Sequence, residues 1–249
     1  MLVKEKMLMN IDELLENGPV NIVILGDSVS HGTVLDNNDY ENVYWNRLRK
    51  KLNAFRNFMP VNIIDAGIGG TTSQFGAARV EEDLLKYKPD FVLTEFSVND
   101  ENTPHFQETY EGLIRRILKS GAALMLMNNV CYDTGCSAEE VHLEIARHYC
   151  LPSVSMKPTL YAALLRREMQ NRDITPDDLH PNDRGHELVA MVICHLLESI
   201  RWAPWEKDPE ELLPAPLTLN RYEGSRRYQN SNSVPICHGF VPDEAPQNH

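Results

Sequence analysis

Residues 21–32 read NIVILGDSVSHG. The run into Leu25 is mostly β-branched or apolar, the composition of a buried strand over Val20–Leu25. The chain then changes character and offers Gly26, Asp27 and Ser28, with His31 and Gly32 just beyond. Gly, Asp and Ser together spell a turn. A turn that presents a serine at the end of a buried strand also places a hydroxyl where the strand's ligand-facing edge would be.

Working outward, the same alternation repeats. Short apolar runs at Val61–Ile64, Phe91–Phe96, Ala122–Met127 and, weakly, Pro152–Ser155 read as further buried strands. Between them, Tyr44–Phe55, Thr72–Tyr87, Phe106–Lys119, Ser137–Cys150 and Lys157–Gln170 carry apolar residues at helical spacing, and Asn182–Trp202 reads as a final helix. Strand and helix in alternation predict an α/β fold: a parallel sheet of about five strands with helices on both faces. The expected division is a domain over 1–202 and a Pro/Asn-rich extension over 203–249, in which LTLNRY (217–222) and VPICHGFV (234–241) have strand-like texture.

Composition narrows the class of function. The 249 residues are 42% hydrophobic and 24% charged, ordinary for a globular chain. Thirty-six acidic against 24 basic residues give a net charge of −12, which repels a phosphate backbone, so no nucleic-acid partner is expected. The opening MLVKEKMLMNIDELLENG is charged and amphipathic, unlike a signal peptide, and no apolar stretch approaches the ~20 residues of a membrane span. Five cysteines, an odd count, are read as reduced thiols, and a cytoplasmic location is the expectation. Cys131 and Cys136 have no matching second pair, so neither a zinc site nor any other metal or cofactor is expected.

In an open parallel sheet, ligands bind beyond the carboxyl ends of the strands. Gly26-Asp27-Ser28 follows the first strand, DAGIGGTTS (65–73) the second and SVND (97–100) the third, so three polar clusters converge on one edge. A serine needs a base to become a nucleophile. His180, in TPDDLHPNDRGHELVA (175–190), is the candidate, with Asp177 three residues earlier to fix its tautomer and Asp178 as competitor for that role. Attack on an acyl carbon would create an oxyanion that needs preorganised donors. The backbone N–H of Ser28, an N–H in the Ile68-Gly69-Gly70 turn and the Asn99 amide are the candidates. Singly, each feature has a plainer reading: Ser28 as a helix N-cap, Asp27 as a structural turn residue, Asn99-Asp100 as the cap of the helix near His105, His186 as a structural partner, and His31 as either a substrate contact or a solvated loop residue. Their joint occurrence at strand ends is what points to chemistry.

Together these residues resemble the SGNH (GDSL-type) serine hydrolase family. Gly26-Asp27-Ser28 with Gly32 matches its first block, and Ile68-Gly69-Gly70-Thr71-Thr72 its second, with Gly70 aligning best and Gly69 as the alternative. Ser97-Val98-Asn99-Asp100 is similar to the third, with serine in place of glycine, and Asp177-Asp178-Leu179-His180-Pro181-Asn182 matches the last, with Asp178 where many members have glycine. The resemblance spans roughly Asn21 to Ile200. It implies a flavodoxin-like three-layer α/β/α sandwich, the four name-giving positions Ser28, Gly70, Asn99 and His180, and ester hydrolysis through an acyl-enzyme without a metal.

The absence of a lid-like apolar insertion leads us to expect a short acyl group, such as acetyl on a sugar; a lysophospholipase or acyl-thioesterase of the same family is the nearest alternative. Two other classes compete: a metal-dependent phosphoesterase built from Asp27, Asn99, Asp177, His180 and His186, and a catalytically inactive binding module. The expected partner is a small-molecule acyl ester; the sequence leaves an oligomer open.

Overall fold

The computed structural model describes residues 19–34, 40–55, 60–201, 213–229, 232–233, 236 and 238–239. The N-terminal segment, residues 202–212 and most of VPICHGFV lie outside the described residues. The elements that frame the site are β1 (Val20–Gly26), α1 (Ser28–His31), α2 (Tyr44–Phe55), β2 (Val61–Asp65), α3 (Ser73–Asp83), β3 (Phe91–Glu95), α4 (Pro104–Lys119), β4 (Ala123–Asn128), α5 (Glu139–His148) and β5 (Ser153–Ser155). After them come α6 (Ala162–Leu165), α7 (Asn171–Ile174) and α8 (Asp183–Arg201). The sheet order is β2-β1-β3-β4-β5 and every pairing is parallel.

The apolar runs are near-continuous because both faces of the sheet are covered. Ile22 and Ile24 of β1 point to one face, with Leu93 and Met125, against Tyr44, Leu48 and Leu52 of α2 and Val189 and Ile193 of α8. Val23 and Leu25 point to the other, with Val92 and Leu124, against Ala77 and Val80 of α3, Leu113, Ile114 and Ile117 of α4 and Ile145 of α5. The result is a three-layer α/β/α sandwich. Chain order reverses between β1 and β3, so the ligand crevice is expected where those two strands end.

Three expectations need correction. Lys157–Gln170 is not one helix: a π-type turn at Lys157–Tyr161 leads into α6, which stops before Arg167 at φ 59°. Thr72–Tyr87 is helical only to Asp83, and a 3-10 turn at Leu85–Tyr87 closes on Lys88 at φ 48°. LTLNRY is no strand: three of its backbone N–H groups are taken by carboxylates and that of Asn220 by the Thr218 hydroxyl, not by a neighbouring strand. Leu217 N and Thr218 N donate to Glu111 (2.5 and 2.8 Å), and Arg221 N donates to Glu108 (2.8 Å). Residues 213–229 thus lie as a strap along α4. Gly112 permits that approach, since a Cβ there would stand 2.7 Å from the backbone of Tyr222 and Glu223. No described helix is long and apolar enough to cross a membrane.

Candidate active site

The turn after β1 is built by Asp27. Its carboxylate accepts from Val29 N (2.9 Å), so Asp27, not Ser28, is the N-cap of α1, and Ser28 occupies the first helical position. This removes the capping explanation for Ser28. Two helices hold the turn in place: Tyr44 OH pairs with Ser30 Oγ (2.9 Å) and Trp45 Nε1 donates to the Ser30 carbonyl (2.9 Å) from α2. From α3, the buried Arg79 donates to the carbonyls of Gly26 (3.0 Å) and Ala66 (2.6 Å), tying the ends of β1 and β2 together.

His180 arrives from the loop before α8. Its Nε2 lies 2.9 Å from Ser28 Oγ and its Nδ1 2.6 Å from Asp177 Oδ2. The other oxygen of Asp177 accepts from His180 N (2.8 Å) and Leu179 N (3.1 Å). Burial alone would push the Asp177 carboxyl up, but the bonds from the His180 ring, His180 N and Leu179 N hold it down at about 2, so it is an anion wherever the protein is folded and active. Asp178 faces away. It sits at φ 65°, a left-handed conformation that suits glycine, and its carboxylate is gripped by Arg172 (2.8 and 2.8 Å) and Asn171 (2.9 Å). The geometry therefore gives Asp177 the contact with the imidazole and gives Asp178 to the loop.

The second and third strand ends close the space around Ser28 Oγ. A Cβ on Gly69 would be 3.7 Å from Ser28 Cβ, while Gly70 turns the chain at φ 70°. Neither glycine's N–H has a protein acceptor among the described residues. The Asn99 amide reaches the same region but is not idle: its Nδ2 donates to Asp27 (2.8 Å) and to the Thr71 carbonyl (3.1 Å). Ser97, at the position that departs from the family pattern, is accommodated by donating to the Asn129 carbonyl (3.0 Å). Asp100 does not cap α4. Thr103 does so (3.4 Å), while Asp100 accepts from Ser73 N at the start of α3 (2.9 Å) and pairs with His142 (3.0 Å).

His31 is exposed on the rim, its ring edge-on to Tyr40 at 6.1 Å. His186 is buried against Tyr44, its Nδ1 3.4 Å from Tyr44 N, and burial keeps it neutral by pulling it down to about 3. It is a structural partner of Tyr44. Among the described residues, no three His, Cys, Asp or Glu side chains are arranged to hold a metal ion. The candidate ligands of a metal site are otherwise engaged: Asp177 with His180, Asp27 with Asn99, His186 with Tyr44.

Two features escaped the sequence reading. Arg172 and Asn171 fix the His180 loop from α7, and nothing in their local sequence announces it. Glu95, the last residue of β3, is fully buried and opposite Gly26 in the β1–β3 register. Its signal was available: a carboxylate inside the apolar run FVLTEF needs a specific partner.

Residues 24–188 match the GDSL-like lipase/acylhydrolase family. No curated protein matches the sequence. Among solved structures, a two-domain esterase active on acetylated mannans is 45% identical, with a TM-score of 0.90 over 97% of this chain and 66% of its own. The same description applies to a form co-crystallised with mannopentaose (44% identical, TM-score 0.88, 98% of this chain and 66% of the other). The chain therefore spans just under two thirds of that esterase. A lipase/acylhydrolase from Enterococcus faecalis shares the fold at 23% identity, with a TM-score of 0.58 over 73% of this chain and 96% of its own.

Proposed function

The chain belongs to the GDSL-like lipase/acylhydrolase family, a family of carboxylic ester hydrolases, and on that premise we propose that it removes short acyl groups, acetyl foremost, from carbohydrate. Ser28 Oγ attacks the ester carbonyl while its proton passes to His180 Nε2, 2.9 Å away. Asp177 holds the Nδ1 proton and stabilises the imidazolium. The developing oxyanion is received by the N–H groups of Ser28 and Gly70, with Gly69 adjacent, and by the Asn99 amide, which must share a hydrogen with its present acceptors. Collapse releases the sugar hydroxyl, which takes the proton from His180. Water, deprotonated by the same imidazole, then frees the acyl group as its carboxylate.

One observation carries this reading: three residues separated by up to 152 positions in sequence form an unbroken Ser28–His180–Asp177 hydrogen-bonded line at the sheet's ligand edge. The carbohydrate substrate is supported by the mannan-active esterase at 45% identity. The test is acetate release from acetylated manno-oligosaccharides beside a chain-length series of p-nitrophenyl esters. Acetate is expected to be the preferred acyl group in both; faster turnover of octanoate would overturn the short-acyl reading.

A further inference from the structure

The site contains a charge problem that the triad does not explain. Asp27 and Glu95 are both fully buried, at the adjoining ends of β1 and β3, and their carboxyl groups hydrogen-bond each other. Two touching carboxylates in a dry interior cannot both be ionised, so the pair holds one proton between them. The question is which carboxyl keeps it.

The surroundings are asymmetric. Asp27 accepts two N–H bonds, from Val29 N and from Asn99 Nδ2, and feels the charge of His180. Glu95 accepts from the Ser97 backbone N–H and has a long contact from Ser97 Oγ (3.4 Å), and its buried Oε2 has no N–H or O–H donor among the described residues. The acidic neighbours Asp27 and Asp100, the latter in the loop after β3, disfavour its charge, while the nearby Tyr44 on α2, Tyr110 on α4 and Tyr132 after β4 are held neutral, burial raising each. We propose that Glu95 keeps the shared proton and donates it to Asp27, making it a positioning residue that keeps Asp27 an acceptor and so fixes the orientation of the Asn99 amide beside the oxyanion space.

The consequence follows from donor and acceptor roles. While Asp27 is an acceptor, the Asn99 side chain must present Nδ2 to it, and the amide stands as a donor at the site. With the proton on Asp27 instead, its one O–H would be spent on the ionised Glu95, and Asp27 would be left a weaker, neutral acceptor for the Asn99 amide. With no proton on either, two negative charges would face the forming oxyanion. Burial and the nearby Asp27 charge push Glu95 well above the usual carboxylate range, in keeping with this assignment. The inference rests on the esterase reading for its kinetic consequence, but the protonation state can be measured without any substrate.

The experiment uses infrared spectroscopy on the whole chain at neutral pH. The expected result is a carbonyl-stretch band of a protonated carboxylic acid in the wild type that is missing in Glu95→Gln and present in Ser28→Ala. Absence of that band, or its survival in Glu95→Gln, overturns the assignment whether or not the protein hydrolyses esters. Kinetics supply the second readout. Glu95→Leu, which cannot donate, is expected to lose about tenfold or more in kcat for an acetate ester with KM little changed, while Glu95→Gln, which can donate through its amide, recovers most of the loss. Equal impairment of the two variants would show that Glu95 is needed for bulk rather than for its hydrogen.

Discussion

Two groups of buried carboxylates lie on this protein, and they are treated in opposite ways. At the ligand edge, Asp27 and Glu95 are pressed together without an arginine or lysine partner among the described residues, and burial pushes both upward. Between α4 and the strap, Glu111 is buried and Glu223 partly so, yet both are held below the ordinary range. Burial would raise Glu111, but Thr218, Tyr149 and Leu217 donate to it; burial would raise Glu223, but Lys119, Asn220 and Arg115 bring it to about 2. The difference teaches that burial alone does not set the charge of a carboxyl. The strap's carboxylates are anions that fasten two segments together, whereas the edge carboxyls are a proton-sharing pair under a site that must receive negative charge.

The largest effects belong to the edge. Ser28→Ala or His180→Ala is expected to lower kcat by ~10³-fold or more, because each removes a member of a unit that acts together. Hydrolysis of p-nitrophenyl acetate measures this, and wild-type turnover in Ser28→Ala would break the proposed mechanism. Asn99→Ala is expected to cost ~10²–10³ in kcat through the lost oxyanion donor. A loss confined to stability, with kcat intact, would mean that the bonds to Asp27 and the Thr71 carbonyl are the amide's whole function.

The strap should respond in stability and not in chemistry. Glu111→Leu strands Leu217 N, Thr218 N, Thr218 Oγ1 and Tyr149 OH. The expected cost is about 2–4 kcal/mol, read as a lower Tm and faster amide exchange in residues 213–225, with kcat within about threefold of wild type. A matching fall in kcat would show that the two regions are mechanically linked.

Acid and alkali should divide the regions next. Glu223 has a folded value near 2 against an ordinary 4.5, so its contribution is complete above 4.5 and is lost as pH falls toward 2. His186, buried neutral at about 3 against 6.5, weakens the fold in the same direction as pH falls from 6.5 to 3. Glu95 has the opposite sign: raised in the folded state, it stabilises fully below about 4.5, and that contribution is lost as pH rises. Thermal unfolding across pH should therefore show Glu95→Gln flattening the alkaline side while leaving the acid side unchanged. Asp177 should put no acid limb into the rate profile, because its carboxyl stays ionised down to about 2.

The contrast also explains what could be read in the sequence. The strands were legible because each is an apolar run covered on both faces, and the clusters after β1, β2 and β3 because strand ends in this topology meet at one edge, whereas His180 comes from the loop before α8. The strap was not, because its order comes from α4: Glu108, Glu111 and Arg115 look like an ordinary amphipathic helix face until a second segment arrives to use them. Lys157–Gln170 kept helical spacing but broke at Arg167, a backbone reversal that periodicity does not encode. Asp177 and Asp178 could not be separated by spacing alone, since the backbone conformation at Asp178 decides which of the two faces His180.

That pair supplies the smallest and most discriminating effect. Asp178 holds a left-handed conformation that costs a non-glycine residue roughly 1–2 kcal/mol, and it recovers part of this through Arg172 and Asn171. The exposed Arg172 partner returns little, because solvent screens the pair. Asp178→Gly removes strain and anchor together, so Tm should move little in either direction. The bond from Tyr132 N to the backbone carbonyl of residue 178 (2.7 Å) survives the substitution and keeps the loop in place. Turnover should then stay within about threefold of wild type, whereas Asp177→Ala should lose ~10³-fold or more if it orients the imidazole. A collapse in Asp178→Gly equal to that in Asp177→Ala would show that the His180 loop depends on the Arg172 clamp as much as on the carboxylate it presents.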